Sequence, residues 1–587
     1  MKKNNHFKNF FYLLSFFLKY GKGFFIFILL TCLFTPLFTV LDIYLLKYSL
    51  ESVSNPLYQI LIGVSLILGL MFVINIVSNI IEIYLGEKLI VIIRANINKE
   101  IFIKIKKTDF KYFDDNTFYD NYAWTVNQLV NQAHAAARFI WNFISSIITI
   151  TSLVALMITM DWVVILFAVA SVVFATLLSS KSTKLHYGKN NESVSFNRGH
   201  NYINRLFYLK EYASFIKTSD AYDILLNEFD NNTNSIVKVA NKYRIKLTLF
   251  GLLEFLNTYI FLGCTIIYLC YRIQNNAGIG VADFAALVVS STTLKNQLSS
   301  FLRIVPNFQN ISLYGDRINK FFKTESTIET SKNDITLEEV PYSIKVDNVR
   351  FRYKEAYILN NNSLNIKKGE KVAIVGENGA GKTTLTNLLL RLYDPEEGAI
   401  LINDTLLTDI NIDQYRKNVG MAFQRSVSFS LTIRQNMQFY NDSITDNEIY
   451  EIFKLVGFDK VMEKGDFTLD SYLTKEFHRD GLELSGGELQ LFAICRLFTK
   501  KFGLMILDEP SSSLDPLVEY KLNELIINQI KNTTTILISH RLSNVRKCDR
   551  IFFISNGKVI ESGTHDELIA LNGKYCEMFN KQAENYR

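Results

Sequence analysis

The hydrophobic pattern divides the chain in two. Up to about residue 305, apolar residues run in stretches long enough to cross a bilayer, which takes about 20 helical residues. After about residue 340 the apolar runs are short and alternate with helical periodicity, the pattern of an α/β domain. Six stretches are predicted to span, near 23–48, 59–86, 138–159, 161–181, 246–272 and 279–304. Residues 7–20 mix aromatics with Lys8 and Lys19. They are too short to span and lack a small-residue cleavage site, so an interfacial helix on the inner face is expected rather than a removable signal peptide.

The loop 49–58 and the turn near Asp161 are poor in Lys and Arg. The segments 87–137 and 182–245 are rich in them, with Lys88, Arg94, Lys99, Lys104, Lys106, Lys107 and Lys111 in the first and Lys181, Lys184, Lys189, Arg198 and Arg205 in or beside the second. This asymmetry puts the N-terminus, both long segments and the C-terminal domain in the cytoplasm. The two segments keep a helical pattern. They read as spanning helices extended into the cytoplasm, each pair joined by a short crossing helix, near 112–119 and 214–220. Aromatics among polar residues at both joints suit docking on another domain, and suit a solvated hairpin tip equally. Within the spans Asp42, Glu254 and Lys295 are ionisable. The sixth span is the most polar, with Ser290, Ser291, Thr292, Thr293, Asn296 and Gln297, and is read as a candidate pathway wall. No role is assigned to Asp42 or Glu254.

The expected organisation is an α-helical polytopic membrane domain over 1–321, a polar linker over 322–342 and an α/β P-loop domain over 343–587. Composition changes this picture little. The net charge of +6 shows no basic cluster suited to nucleic acid. The six cysteines have no paired close spacing and read as free thiols, not as a disulfide or zinc framework. The abundance of Asn, Lys and Ile marks a biased source genome.

Candidate chemistry sits in the C-terminal half. The strand Val372–Val375 runs into Gly376-Glu377-Asn378-Gly379-Ala380-Gly381-Lys382-Thr383-Thr384 and then a helix with Leu385, Leu388 and Leu389, the context of a phosphate-binding loop. Its N–H groups would close around phosphate, Lys382 would reach the terminal phosphates, and the Thr383 hydroxyl would bind Mg²⁺. Leu504–Glu509 is an apolar strand ending in two carboxylates. Asp508 would hold Mg²⁺ through water, and Glu509 would polarise an attacking water. Leu484-Ser485-Gly486-Gly487-Glu488 precedes an apolar helix whose start offers donors to phosphate. Ser539-His540 follows another apolar strand and is a candidate γ-phosphate sensor. Gln424 could reach Mg²⁺ or the water, and Tyr353 offers a flat ring for adenine.

The order Tyr353, GENGAGKTT, Gln424, LSGGE, LMILDEP, SSSLD (511–515) and SHR resembles that of an ABC-transporter ATPase domain. With six spans and long cytoplasmic extensions ahead of it, the whole chain is similar to a type I (type IV) ABC exporter half-transporter. The resemblance implies two ATP molecules sandwiched between two such domains. The phosphate loop, Gln424, Glu509 and His540 of one copy would face Ser485 and Gly487 of the other, with Asp515 at the same interface. It also implies Mg²⁺ at Thr383, Gln424 and Asp508, and coupling helices at the two joints. A dimer follows; a homodimer is favoured because Glu509 and His540 are both present, and a heterodimer is left open.

Departures narrow the group. Residues 475–483 read KEFHRDGLE where many multidrug exporters carry TEVGE, and the signature ends in Glu488 rather than Gln. With FDDNTFYDNY in the first cytoplasmic segment and SSSLDPLVEY after Glu509, this is similar to exporters of lantibiotics and related modified peptides. No room is expected ahead of the first helix for a cysteine-protease domain. The expected function is ATP-driven export by alternating access, as a dimer in the bacterial plasma membrane, with a modified peptide as cargo and no nucleic-acid partner. The alternatives are a multidrug or lipid exporter, favoured by a wide apolar cavity where a polar one favours peptide, and an ATP-gated channel or regulator without transport.

Overall fold

The computed structural model describes residues 6–584 except 55, 276–277, 329–332, 466, 512–513 and 531. The chain folds as two compact units, Met1–Lys104 with Asp120–Lys323, and Ile105–Tyr119 with Thr324–Arg587.

The first unit is helical: α1 (His6–Thr31), α2 (Phe34–Glu51), α3 (Leu57–Asn79), α4 (Glu87–Lys106), α5 (Asn116–Met160), α6 (Val163–Tyr208), α7 (Lys210–Thr218), α8 (Ala221–Gln274), α9 (Val281–Leu302) and α10 (Ile304–Phe322). Helices α5, α6 and α8, of 45, 46 and 54 residues, far exceed a bilayer's thickness, as the long polar extensions predict. Among the described residues four single helices are long and apolar enough to cross a membrane by length and composition, within α3, α5, α6 and α8; the other two expected spans, 23–48 and 279–304, do not meet that measure as single helices. The stretch 23–48 is cut at Cys32–Leu33 between α1 and α2, and 279–304 is the polar α9.

Proline explains two of the breaks. Pro36 is the third residue of α2 and Pro306 the third of α10. A proline is tolerated only in a helix's first turn, so each forces a new start. Residues 7–20 form a helical stretch of their own at the start of α1: the backbone leaves helical geometry at Gly21 (φ −127°, ψ 30°) before the helix resumes, and the stretch buries Phe10, Leu13 and Phe17. Gly315 on α10 lies so close to α1 that a Cβ there would meet the Asn9 carbonyl at 2.4 Å. At the α5–α6 turn, buried Asp161 accepts from the Val163 N–H at 2.9 Å and from the Tyr268 hydroxyl at 3.0 Å, beside Arg272 at 3.3 Å. Lys295 is buried in α9 and donates to the Thr258 hydroxyl at 2.7 Å, while Asp42 and Glu254 are exposed.

Two cavities of mixed polar and apolar lining adjoin in this unit. One, of about 370 Å³, lies among α2, α5, α9 and the start of α10; the other, of about 610 Å³, lies between α5 and a π-helical turn, Ile80–Gly86. Trp141 and Asn142 of α5 line both.

The second unit holds ten strands, β1 (Ile344–Phe351), β2 (Leu359–Ile366), β3 (Lys371–Gly376), β4 (Glu397–Ile402), β5 (Thr405–Leu406), β6 (Val419–Ala422), β7 (Leu504–Asp508), β8 (Thr534–Ile538), β9 (Arg550–Ser555) and β10 (Lys558–Gly563). An antiparallel sheet runs in the order β2-β1-β4-β5, and a mostly parallel one in the order β10-β9-β3-β8-β7-β6. The central strands β7 and β8 of this sheet are buried along their whole length, as strands covered on both faces are.

The first predicted joint is a 3₁₀ turn, Phe110–Asp114, and it packs within this second unit. Phe110 meets the Tyr393 ring at 5.8 Å, and the Tyr393 hydroxyl donates to Asp114. The Asp109 carboxylate is fully buried. It accepts from the Ser326 hydroxyl, from the Thr327 N–H and hydroxyl at 3.0 and 3.1 Å, and from the Ile328 N–H at 3.1 Å. The second joint is α7, on which Phe215 is exposed.

Burial alone would raise the Asp109 pKa, but these hydrogen bonds outweigh it and hold the carboxyl below its ordinary value. A depressed pKa stabilises the fold above the unfolded value, near 4, and that stability is lost as pH falls through the folded value. Asp109→Asn is expected to destabilise the unit by about 2 kcal/mol at pH 7. In acid melts the gap from wild type should narrow below about pH 4.

Candidate nucleotide site

The site forms where parallel strands end. In register, Ile374 of β3 pairs with Ile538 of β8, Asp508 of β7 pairs with Ile538, and Ala422 of β6 pairs with Leu507. All four strands run the same way, so the loops leaving their carboxyl ends open on one edge. The phosphate loop, Gln424, Asp508, Glu509 and His540 are brought to that edge from four separate parts of the chain.

The loop leaves β3 at Gly376, whose φ of +148° and 2.1 Å approach of a built Cβ to the Ile554 carbonyl admit only glycine. Gly381, at φ +100°, caps the helix Lys382–Leu389. Lys382 is buried, and its Nζ donates back to the Gly376 and Glu377 carbonyls at 2.8 and 2.9 Å. Asn378, Gly379 and Thr383 are exposed at the mouth of the loop, and Ala380 and Thr384 are buried behind it.

Glu509 follows β7 with φ +48°, a conformation unusual outside glycine. Its N–H donates to the Ile538 carbonyl at 3.0 Å, and its carbonyl accepts from the Gln490 side chain at 2.9 Å. These bonds hold the turned backbone and aim the carboxylate. It accepts from the Gln424 amide at 3.0 Å and lies 3.2 Å from His540 Nδ1. Burial, reinforced by Glu509, pushes the neighbouring Asp508 carboxyl up to about 6, against the opposing pull of Lys382. Burial also lowers the Lys382 pKa, with Glu509 and Asp508 opposing.

The donor set fits Mg²⁺. Thr383 presents an exposed hydroxyl and Asp508 a carboxylate, and Gln424 spends its amide nitrogen on Glu509, which leaves the amide oxygen. All are hard oxygen ligands. Tyr353 is 41% exposed, so its ring offers a face to a base. Its edge is fixed by Phe351 and Tyr393, at 5.0 and 5.1 Å, and Asn387 donates to its hydroxyl at 3.1 Å.

The signature residues lie elsewhere in the domain. Leu484 packs on the core, and Ser485 caps the helix Gly486–Leu497 in a reciprocal box with Glu488. The Ser485 N–H and hydroxyl both donate to the Glu488 carboxylate at 2.8 Å. Asp515 caps the helix Pro516–Gln529 by accepting from the Leu517 N–H at 2.8 Å. Ser512 and Ser513 of the predicted SSSLD run lie outside the described residues.

Sequence reading missed the groups that hold these loops. Buried Glu519 accepts from the Ser511 hydroxyl and the Asn544 amide, both at 2.6 Å, and pairs with Arg541. It therefore ties the loop after Glu509 to the turn after His540. Gln582, on the C-terminal helix Lys574–Glu584, donates to the His540 carbonyl at 2.6 Å and accepts from the Leu542 N–H at 3.0 Å. Glu519 at least lies four residues after the SSSLD run, on the helix that run leads into; Gln582 gives no local signal.

Two outcomes follow from this geometry. Gln582→Ala is expected to lower kcat for ATP hydrolysis about tenfold with KM for ATP nearly unchanged, because the His540 turn loosens while the phosphate loop and Tyr353 do not. Gln582→Glu, which keeps the acceptor for Leu542, should recover part of the loss. The raised Asp508 pKa means the fold disfavours this carboxylate's charge, so its destabilising effect grows as pH rises from about 4 through 6. Asp508→Asn should raise the melting temperature of the nucleotide-free protein at pH 8 and leave it nearly unchanged at pH 4.

Residues 359–512 match the family model described as ABC transporter. Along its length the chain is similar to the subtilin transport ATP-binding protein of Bacillus subtilis, 26% identical over 94% of this chain and 90% of that protein. It is 32% identical to the ATP-dependent lipid A-core flippase of Desulfotalea psychrophila over 51% of this chain and 52% of that protein. It is 34% identical to a putative multidrug export ATP-binding/permease protein of Bacillus subtilis over 51% of this chain, and spans 49% of that relative. A bacterial Atm1-family ABC exporter solved with ATP bound superposes with a TM-score of 0.77 over 97% of this chain and 98% of that one, at 21% identity. Residues 359–512 are thus an ABC transporter ATP-binding domain, and the chain that carries them has the fold of an ABC exporter.

Proposed function

We propose that this protein is an ATP-driven peptide exporter that works as a dimer by alternating access. The observation that carries the reading is the Glu509 carboxylate held between Gln424 and His540 at the mouth of the phosphate loop. ATP hydrolysis needs a base beside the attacking water and donors on the terminal phosphate. Glu509 takes the water's proton. His540 orients that carboxylate and meets the γ-phosphate. Lys382 exchanges its two carbonyl partners for terminal phosphate oxygens, and the N–H groups from Gly376 to Thr384 cradle the rest. Mg²⁺, when bound at Thr383, Gln424 and Asp508, neutralises phosphate charge.

Ser485 and Gly487 lie on a separate helix start, so one chain offers half of each catalytic site and a second copy completes it. Binding of two ATP molecules closes the pair; hydrolysis reopens it. The 3₁₀ turn Phe110–Asp114, packed on Tyr393 beside the adenine-facing Tyr353, suits a coupling element. The proposed setting is the bacterial plasma membrane, with the ATPase domain cytoplasmic.

Peptide is favoured over lipid or hydrophobic drug by two observations. A relative similar along nearly its whole length is named for subtilin transport, whereas the flippase and multidrug relatives match about half the chain. The cavities of the helical unit set polar side chains such as Asn142, Gln297, Arg138 and Arg303 beside apolar ones such as Phe139 and Ile83, a mixed wall that suits the mixed surface of a peptide.

The test is ATPase activity in lipid nanodiscs. Glu509→Gln should bind ATP with near wild-type affinity, trap the closed dimer and lower turnover at least a hundredfold; rapid turnover would remove Glu509 from its role. A leader-bearing modified peptide should stimulate the wild type saturably. Stimulation by hydrophobic cations alone would favour the multidrug reading.

A further inference from the structure

We propose that the two adjoining cavities of the helical unit form one binding site for a carboxylate-bearing end of a peptide, with Arg138 and Arg303 as its anchors. The inference rests on the exporter reading for its purpose, but on the cavities themselves for its chemistry.

Three interruptions of otherwise continuous helix meet at these cavities. Thr31 and Thr35 flank the α1–α2 break, and each lines one cavity. Asn79, Ile81, Ile83 and Glu87, in and beside the π-helical turn, line the larger one. Ser300, Arg303 and Asn307, around the α9–α10 break, line the smaller. A helix break leaves main-chain donors and acceptors without helical partners, and single-turn π-helices recur at functional sites. Two of the three interruptions are enforced by Pro36 and Pro306, so they are written into the sequence rather than produced by packing.

The remaining wall is the unbroken helix α5. Trp141 fastens it to the first break: its indole N–H donates to the Thr31 hydroxyl at 3.0 Å, and its carbonyl accepts from the Cys32 thiol at 3.7 Å. Asn142 then faces both cavities. Volumes of about 370 and 610 Å³ fall in the usual range for ligand pockets and suit a few residues of extended peptide.

Charge selects the ligand class. Among the described residues, neither the Arg138 nor the Arg303 guanidinium has an ion-pair or hydrogen-bond partner. Each presents a planar fork that matches a carboxylate with two parallel hydrogen bonds. An apolar or cationic cargo gains nothing from two such forks, whereas a carboxylate does. Glu87, on the far wall of the larger cavity, suits an ammonium at the other end of the same segment.

The test uses the full-length protein in nanodiscs with Trp124→Phe and Trp162→Phe, which leaves Trp141 as the single indole and as a reporter in the shared wall. The probes are the N-acetylated tripeptide Gly-Gly-Glu, its N-acetylated diamide, which carries no charge, and tetraphenylphosphonium. The expected result is saturable quenching by the acid, with the uncharged diamide and the cation at least tenfold weaker. Arg138→Gln and Arg303→Gln should each weaken the acid about tenfold, and Arg138→Lys should recover part of the loss. Equal quenching by acid and amide, indifference to both arginine substitutions, or no saturable quenching overturns the site. ATPase assays on the same samples separate the two readings: absent hydrolysis with the expected quenching sinks the exporter reading and leaves the site standing.

Discussion

The nucleotide site depends on the register of four parallel strands. Each candidate catalytic group is one or two residues beyond a strand end, and no two neighbouring loops are close in sequence except Asp508 and Glu509. If β8 slipped by one residue against β7, Ile538 would no longer accept from the Glu509 N–H, and His540 would move off the carboxylate. A slip would also turn every β8 side chain to the other face of the sheet, which its packing against helices on both sides forbids. The buried strands therefore fix the position of the polar groups at and just beyond their carboxyl ends. The strained Glu509 backbone is tolerable because β8 on one side and Gln490 on the other over-determine it.

Support of the site comes in layers of increasing sequence distance. Gln490 lies 19 residues before the carbonyl it holds, and Gln582 lies 42 residues beyond His540. Glu519 joins the two loops through a buried carboxylate that is fully engaged. A buried charge with all its partners is rigid and costly to disturb. This rigidity allows a solvent-facing histidine to keep its place without a packed environment of its own.

Much of this was legible in the sequence because the chemistry is local. A phosphate loop needs a strand, glycines, a lysine and a helix in immediate succession, and residues 372–389 supply them in order. The strand-ending Asp508 and Glu509, and the Ser485 cap, are likewise read from a few neighbours. The span count was less legible. The stretch 23–48 is apolar enough by average, yet it is two helices rather than one, with Pro36 in the first turn of the second, and an average over a window does not weigh one missing N–H. Residues 7–20 do form their own helix up to the Gly21 kink, but its burial was hidden because the partner that covers Phe10 and Leu13, α10, lies some three hundred residues away. Gln582 was invisible for the same reason: nothing in NKQAEN announces a pair of hydrogen bonds across the domain.

The Ser485–Glu488 box has a consequence beyond capping. With Glu488 in the last signature position, the helix start that would greet a partner's bound ATP carries a carboxylate that already holds the serine hydroxyl. In a dimer of the proposed kind, an arriving phosphate must win that hydroxyl from an anion and approach against its field. The field falls off over about 8 Å at physiological ionic strength and over shorter distances in stronger salt. Closure of such a dimer would thus be graded by the ionic strength of its surroundings, a dependence a glutamine in the same position would largely erase.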